Sequence, residues 1–518
     1  MELLKENLKL LQAVSSILFV LIIYCSSKKK SNAPLVGVEP GILGYLKAPY
    51  RWKQDPMSLL KEGAEKYGKY GKAFRITTPS RDMIVFSNQE VLEELKTLPA
   101  SVATFRPAGD TMIRSEYNFH EGIIQDAYHV DLMRKNMTEK LSSLLPDVVG
   151  EVTDAFEELT DVKNEWTNVN VLDTSVGVIA RVTSRIFVGL PTCRNQEYLN
   201  HMIQFSLNVM KSATVIDVLP WFLRWIVASF FLKKKDSQDI IVKHVGGLFE
   251  TRQKTEMPHT SSATTTSDAI QWILDAAPPG TPTLKLVQRL MVFNFASVHT
   301  SSITLAHALY DLAANPEFQD PLCIEIEEGL RTEGGWTKQA LTKMKKLDSF
   351  LRESSRMNGV NIVTVVRKVI TSHTFIDGTY APKGVWVCAP AATLHLSSEL
   401  YENPEIFDGF RFYRMRQLEG NAHNYQMASP SLGYLPFGIG KFACPGRFFA
   451  TNELKIAVAY ILCNYRLRLN GGVCGKKPPN LFSGIVCMPN PTVGIELKKR
   501  EGREKSVLFP GHVTSYSL

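Results

Sequence analysis

Phe437-Gly438-Ile439-Gly440-Lys441-Phe442-Ala443-Cys444-Pro445-Gly446 places a single cysteine in a glycine-containing loop, and this stretch decides how the rest of the chain is read. A helix is expected to start near Arg447, because Pro445 suits a helix start, where a missing N–H costs nothing. A sulfur just ahead of that helix meets its unpaired N–H groups, which stabilise an anionic thiolate. The glycines let the backbone approach a flat macrocycle with no side chain in the way. A thiolate on iron pushes electron density onto the metal and favours O–O cleavage. A cysteine taken alone is more often a small buried packing residue. The spacing of the whole loop decides between the two readings.

That spacing, F-x-x-G-x-x-x-C-x-G, is filled by Phe437, Gly440, Cys444 and Gly446, and it resembles the haem-binding loop of the cytochrome P450 family. Further landmarks follow in the family's order over roughly residues 34–499. Glu353-Ser354-Ser355-Arg356 matches E-x-x-R, and Phe407-Asp408-Gly409-Phe410-Arg411-Phe412 resembles the segment that supplies a third partner, Arg411. The resemblance implies haem b with Cys444 as axial ligand, and a buried network of Glu353, Arg356 and Arg411 behind it. An E-x-x-R alone says little, since i,i+3 pairs decorate solvated helix faces for a few tenths of a kcal/mol.

Haem carries two propionates that need counter-charges, and the resemblance supplies Arg134 and Arg367, each able to donate paired hydrogen bonds. Two departures stand out. Val130 occupies the place where many relatives carry tryptophan, with His129 beside it. Phe442 occupies the place of a basic residue two before the cysteine, which leaves Lys441 as its replacement.

A long helix is expected over residues 282–314, apolar except for the island His299-Thr300-Ser301-Ser302. Residues 296–301 resemble the family's oxygen-binding stretch, with Thr300 as its alcohol and His299 where most relatives have an acid. The resemblance implies a proton path through Thr300, and an imidazole at 299 can also shuttle protons near neutral pH. Two plainer readings stay open: the Thr300 hydroxyl bonding back to its own helix, and His299 as a satisfied core histidine.

Fold class follows from the pattern of elements: mainly α, with small β-sheet regions at residues 72–77, 83–87, 362–371 and 385–388. A Ser/Thr-rich loop is expected at residues 259–267. At the N-terminus, residues 8–27 form an apolar stretch of about 20 residues, enough to span a bilayer. Lys28, Lys29 and Lys30 follow it, whereas Lys5 and Lys9 are offset by Glu2 and Glu6, so the positive-inside bias sets the main body in the cytosol. The expected organisation is a single-pass anchor (1–27), a hinge (28–33), a catalytic domain (34–499) and a tail (500–518), in the endoplasmic reticulum membrane. No small-residue cleavage site follows the apolar stretch, which argues against a removed signal peptide.

The net charge of +8 suits an acidic partner or an anionic membrane, but no basic block is long enough for nucleic acid. The eight cysteines show no C-x-x-C pair and no zinc-ligand spacing, as for free thiols in a reducing compartment. No dinucleotide fingerprint is present, so an NADPH-cytochrome P450 reductase is expected as a separate electron donor, with O2 as co-substrate. Lys135, Lys140, Lys441, Arg447 and Lys455 are candidates for a basic face toward it.

A greasy cavity is expected from Phe105, Ile113, Phe119, Phe205, Met210, Phe295, Ile362, Val363, Phe482, Ile485 and Val486. It would take a lipophilic substrate. The run 219–232, with Trp221 and Trp225, is too short to span a membrane but can lie in its interface. The H-T-S-S and F-D-G-F-R-F-Y elements look like those of fungal P450 enzymes acting on terpenoids. A reductase-independent haem-thiolate isomerase or dehydratase, and a non-catalytic lipid or haem carrier, are the alternatives.

Overall fold

The computed structural model describes residues 31–38, 42–119, 122–219, 221–231, 234–254, 268–472, 476–500 and Phe509. The expected anchor at 1–27, the 259–267 loop and most of the tail lie outside the described residues. Among the described residues no helix is long and apolar enough to cross a membrane.

The helices that position the site are α1 (Tyr128–Glu139), α2 (Leu141–Leu159), α3 (Val171–Val188), α4 (Gln196–Asp217), α5 (Trp221–Phe231), α6 (Thr283–Ala314), α7 (Gln319–Thr332), α8 (Lys345–Met357) and α9 (Arg447–Asn464). The expected long helix is α6, which runs 32 residues and packs against α3, α4, α8 and α9. An element hydrophobic on most of its circumference is stable only when surrounded, and α6 accordingly lies at the centre. Leu286, Leu290, Met291, Leu305 and Leu309 are among its core residues. Helix starts follow side-chain chemistry: Asn170 and Asn195 cap α3 and α4 by accepting the backbone N–H groups of Asp173 and Tyr198.

Distant segments pair in one five-stranded sheet, as expected. Its order is β1 (Phe74–Thr77), β2 (Asp82–Val85), β5 (Trp386–Ala389), β4 (Thr364–Val369) and β3 (Ala103–Thr104). β2 and β5 run parallel, with Ile84 opposite Val387. All four residues of β5 are buried, so both its faces are covered. The β4–β5 register shifts between Thr364 and Arg367, where Val365 has φ 55°. A bulge bends a strand and re-aims its side chains, and the next residues along β4 include Arg367.

The chain end is held to the helical core. Arg500 donates to the carbonyls of Leu462 and Tyr465 at the end of α9. Phe509 is buried, with ring centroids 5.1 Å from Trp336 and 5.2 Å from Tyr460.

Candidate active site

The loop before α9 is closed by its own backbone: Cys444 N–H donates to the Phe437 carbonyl at 2.8 Å. Gly440 has φ 66°, and a Cβ there would stand 2.8 Å from the Lys96 carbonyl oxygen, so no larger residue fits. Gly446 caps α9, and Arg447 donates through Nη1 to the Cys444 carbonyl at 3.0 Å. Burial pushes the Cys444 thiol above its ordinary pKa, while the backbone N–H groups of Gly446 and Arg447 and the Arg447 charge pull the other way. A sulfur so placed has donors ready for a thiolate but lacks a full counter-cation. Metal ligation supplies one and expels the proton.

Arg367 is buried at 3% exposure. Its guanidinium donates to its neighbour's Val366 carbonyl at 2.8 Å and lies over the Phe442 ring at 4.4 Å. Among the described residues no carboxylate pairs with it, and burial lowers its pKa to about 10. A buried cation without an anion is costly, so this position fits an anionic group of a ligand such as a haem propionate. Phe442, the departure from the family's pattern, is the ring on which Arg367 rests. Arg134 is exposed, pairs with Asp131 at 3.1 Å and reaches the Lys441 carbonyl at 3.4 Å. The Lys441 side chain is exposed. His129, beside the place of the missing tryptophan, accepts from Arg289 of α6 at 2.9 Å.

Glu353, Arg356 and Arg411 meet as expected. Arg356 donates twice to Glu353, both at 2.8 Å, and Arg411 Nε donates to Glu353 Oε1 at 3.1 Å. The Glu353 side chain is fully buried, and the Asp408 N–H donates to it as well. His395, which sequence reasoning missed, carries the network to the loop. It donates through Nδ1 to the Arg356 carbonyl and accepts the Leu435 N–H at Nε2. Burial and the neighbouring Arg356 push it to a pKa of about 3, so it is neutral. Nothing in its sequence surroundings marks it.

On α6 the polar island divides. Ala296 and Thr300, one turn apart, are exposed although their neighbours from Phe295 to Ser301 are buried or half-buried. The Thr300 hydroxyl bonds back to the Ala296 carbonyl at 2.8 Å. His299 is about 100° further round the helix. Burial pushes its pKa down against the pull of the Ile203 carbonyl on α4, and its Nε2 has no partner among the described residues.

Ser301 reaches a second residue that sequence reasoning missed, Glu453 of α9. This carboxyl is buried, and burial raises its pKa to about 8 against hydrogen bonds from Ser301 and Thr183. It joins the helix of Thr300 to the helix that Cys444 precedes.

Of the expected cavity residues, Phe119 stands 5.4 Å from Phe205 and 6.4 Å from Phe295, centroid to centroid. Ile362 and Val363 are core residues, whereas Phe105, Met210 and Phe482 are exposed. The basic face loses Lys455, which is buried and bonded to Asp348 at 2.8 Å. Lys140 lies over the Trp272 ring, while Lys135 and Lys441 are exposed and Arg447 is half-buried.

Residues 43–495 match the family model described as Cytochrome P450. Similar curated proteins include Cytochrome P450 monooxygenase 110 of Postia placenta, 39% identical over 87% of this chain and 90% of that protein. Cytochrome P450 monooxygenase olcJ of Penicillium canescens is 33% identical over 92% of this chain and 90% of that one. A solved structure, retinoic acid bound cyanobacterial CYP120A1, is similar at a TM-score of 0.68 and 18% identity, covering 91% of this chain and 100% of that one. At that identity the likeness shows the fold alone.

Proposed function

The chain belongs to the cytochrome P450 family and is a haem-thiolate monooxygenase, and from this premise we propose that it oxygenates a lipophilic, terpenoid-type substrate with electrons from NADPH through a separate flavoprotein reductase. The observation that carries the reading is the Cys444 sulfur set on the N–H groups that open α9, with the buried Arg367 over the ring of Phe442, two residues before it, and paired with no carboxylate among the described residues. Cys444 would be the axial ligand, and Arg367 with Arg134 would hold the propionates. Lys441 contributes a third charge near them. Phe437, Gly440 and Gly446 give the loop its shape.

Haem bound there supplies reductive activation of O2. The protein's own part is to bind substrate, exclude water and deliver protons. Thr300 Oγ1, which donates to the Ala296 carbonyl, keeps its lone pairs on the exposed side of α6 and can accept a proton there. His299, kept neutral by burial with Nε2 unpartnered, can take a proton from the α4 side and return it. Phe119, Phe205 and Phe295 offer an apolar wall for the substrate.

The membrane reading rests on α5, where Trp225 is 62% exposed and Leu223 and Ile226 are exposed beside it. An apolar helix face of this kind can lie in the bilayer interface, next to an anchor at residues 1–27 in the endoplasmic reticulum with the catalytic domain in the cytosol. The terpenoid assignment draws on the H-T-S-S and F-D-G-F-R-F-Y elements. Lys135, Lys441 and Arg447 favour an acidic electron donor.

A second reading, a reductase-independent isomerase or dehydratase, is favoured by one observation: position 299 holds a neutral imidazole and no acid.

The test is product formation by the haem-loaded chain with terpenoid candidates, with and without NADPH and reductase. Oxygenated product only in the complete system is expected; turnover without reductant would establish the second reading. Cys444→Ala is expected to abolish the thiolate-type spectrum of the reduced CO complex, and a variant that kept it would exclude Cys444 as ligand.

A further inference from the structure

Three metal-ligating side chains converge between α7 and α9, away from the Cys444 loop. Cys323 and Glu327 stand four residues apart on α7 and share a face. Cys463 is near the end of α9. Cys323 Sγ lies 3.9 Å from Cys463 Sγ and 3.6 Å from Glu327 Oε1, and the three donor atoms fall within 4.8 Å of one another.

Those separations can be compared with a ligated site. A tetrahedral zinc ion with bonds of about 2.3 Å to sulfur and about 2.1 Å to oxygen sets two sulfurs about 3.8 Å apart, and a sulfur and an oxygen about 3.6 Å apart. Both pairs that involve Cys323 therefore already stand at ligand spacing. Glu327, the longest and most adjustable side chain, closes the remaining gap to Cys463. A disulfide is a poorer match, since it needs the sulfurs near 2.05 Å.

The surroundings fit as well. Cys323 and Cys463 are each 1% exposed, while Glu327 is half-buried, so ion and water can enter on the Glu327 side. Two thiolates and a carboxylate carry three negative charges, of which a divalent ion neutralises two. Arg500 donates to the Leu462 and Tyr465 carbonyls at the turn that contains Cys463, but its charge is paired with Asp320 at 2.8 Å, so the complex keeps one net negative charge.

We propose that Cys323, Glu327 and Cys463 form a structural site for one divalent metal ion of borderline-soft character, zinc first, separate from the haem. Binding forms two metal–sulfur bonds and one metal–oxygen bond and releases the two thiol protons. Water completes the tetrahedron. The ion staples α7 to α9, the helix that the Cys444 loop opens.

The test uses the haem-loaded full chain, purified under reducing conditions, stripped with a chelator, given Zn2+ and freed of excess by gel filtration. Elemental analysis is expected to find about one zinc per haem, with a zinc absorption-edge spectrum showing two sulfur neighbours at about 2.3 Å. Cys323→Ser and Cys463→Ser should each lose that ion yet keep the haem spectrum. Because a core variant can fail to fold, Glu327→Gln at the rim serves as the second probe, and its zinc affinity should fall about ten-fold or more in a chelator competition. Equal zinc in wild type and all three variants, no zinc in a folded wild type, or a Cys323–Cys463 disulfide under reducing conditions would each overturn the proposal.

Discussion

Thr300 and His299 adjoin in sequence yet face different parts of the molecule. Thr300 is on the exposed side of α6 with its hydroxyl bonded to Ala296, and His299 faces α4 near the Ile203 carbonyl. The polar island reads as one motif, but a helix turns about 100° per residue and splits it. Their variants should therefore differ. Thr300→Ala is expected to let NADPH consumption persist while product per NADPH falls and released hydrogen peroxide rises, checked by measuring all three on folded, haem-loaded protein. Unchanged coupling would remove Thr300 from the proton path. His299→Ala should reproduce the loss of coupling when the imidazole relays protons; a lower melting temperature at unchanged coupling would assign it to packing alone.

At the scale of elements, two buried carboxylates join helices, and their partners differ. Glu353 of α8 receives Arg356 and Arg411. Glu353→Ala leaves two guanidinium groups without their carboxylate, so a loss of about 3–5 kcal/mol is expected in denaturant unfolding of the haem-loaded chain. A loss under about 1 kcal/mol would place the network among weak surface pairs. Glu453 joins α9 to α6, and its folded pKa of about 8 lies above that of an unfolded glutamate. Between pH 4.5 and 8 the folded state then holds a proton that the unfolded state has lost. Stability contributed by this group accordingly falls as pH rises through that window, by about 1.4 kcal/mol per unit at most. Glu453→Gln should flatten the slope and gain stability relative to wild type toward pH 8, as read from unfolding curves across the range. Parallel curves for the two proteins would refute the assignment.

Across the whole molecule, the sites proposed for haem lie downstream of residue 33, in a body whose described residues pack around α6. Removing residues 1–31 is therefore expected to weaken membrane association while haem incorporation persists, measured by flotation with vesicles and by the haem spectrum. Residual binding should depend on α5 and diminish in Trp225→Glu; loss of haem on removal of residues 1–31 would contradict the independence of the two parts. The ten residues from Phe437 to Gly446 resemble a haem-binding loop, and the loop's shape was legible from sequence alone, because glycine freedom, the helix start after Pro445 and the cysteine's place before it are local properties of the chain. That Glu353 and Arg356 share a helix face was legible from their spacing of three, whereas their burial with Arg411 was only what the resemblance implied. Only the tertiary structure turned Arg367 onto Phe442 without a carboxylate, bonded Ser301 to Glu453, and took Lys455 from an expected surface to Asp348. It also set Cys463 beside Cys323, 140 residues away, though no zinc-ligand spacing exists in the sequence. Such contacts depend on which helix faces meet in the core, and local periodicity leaves that pairing undetermined.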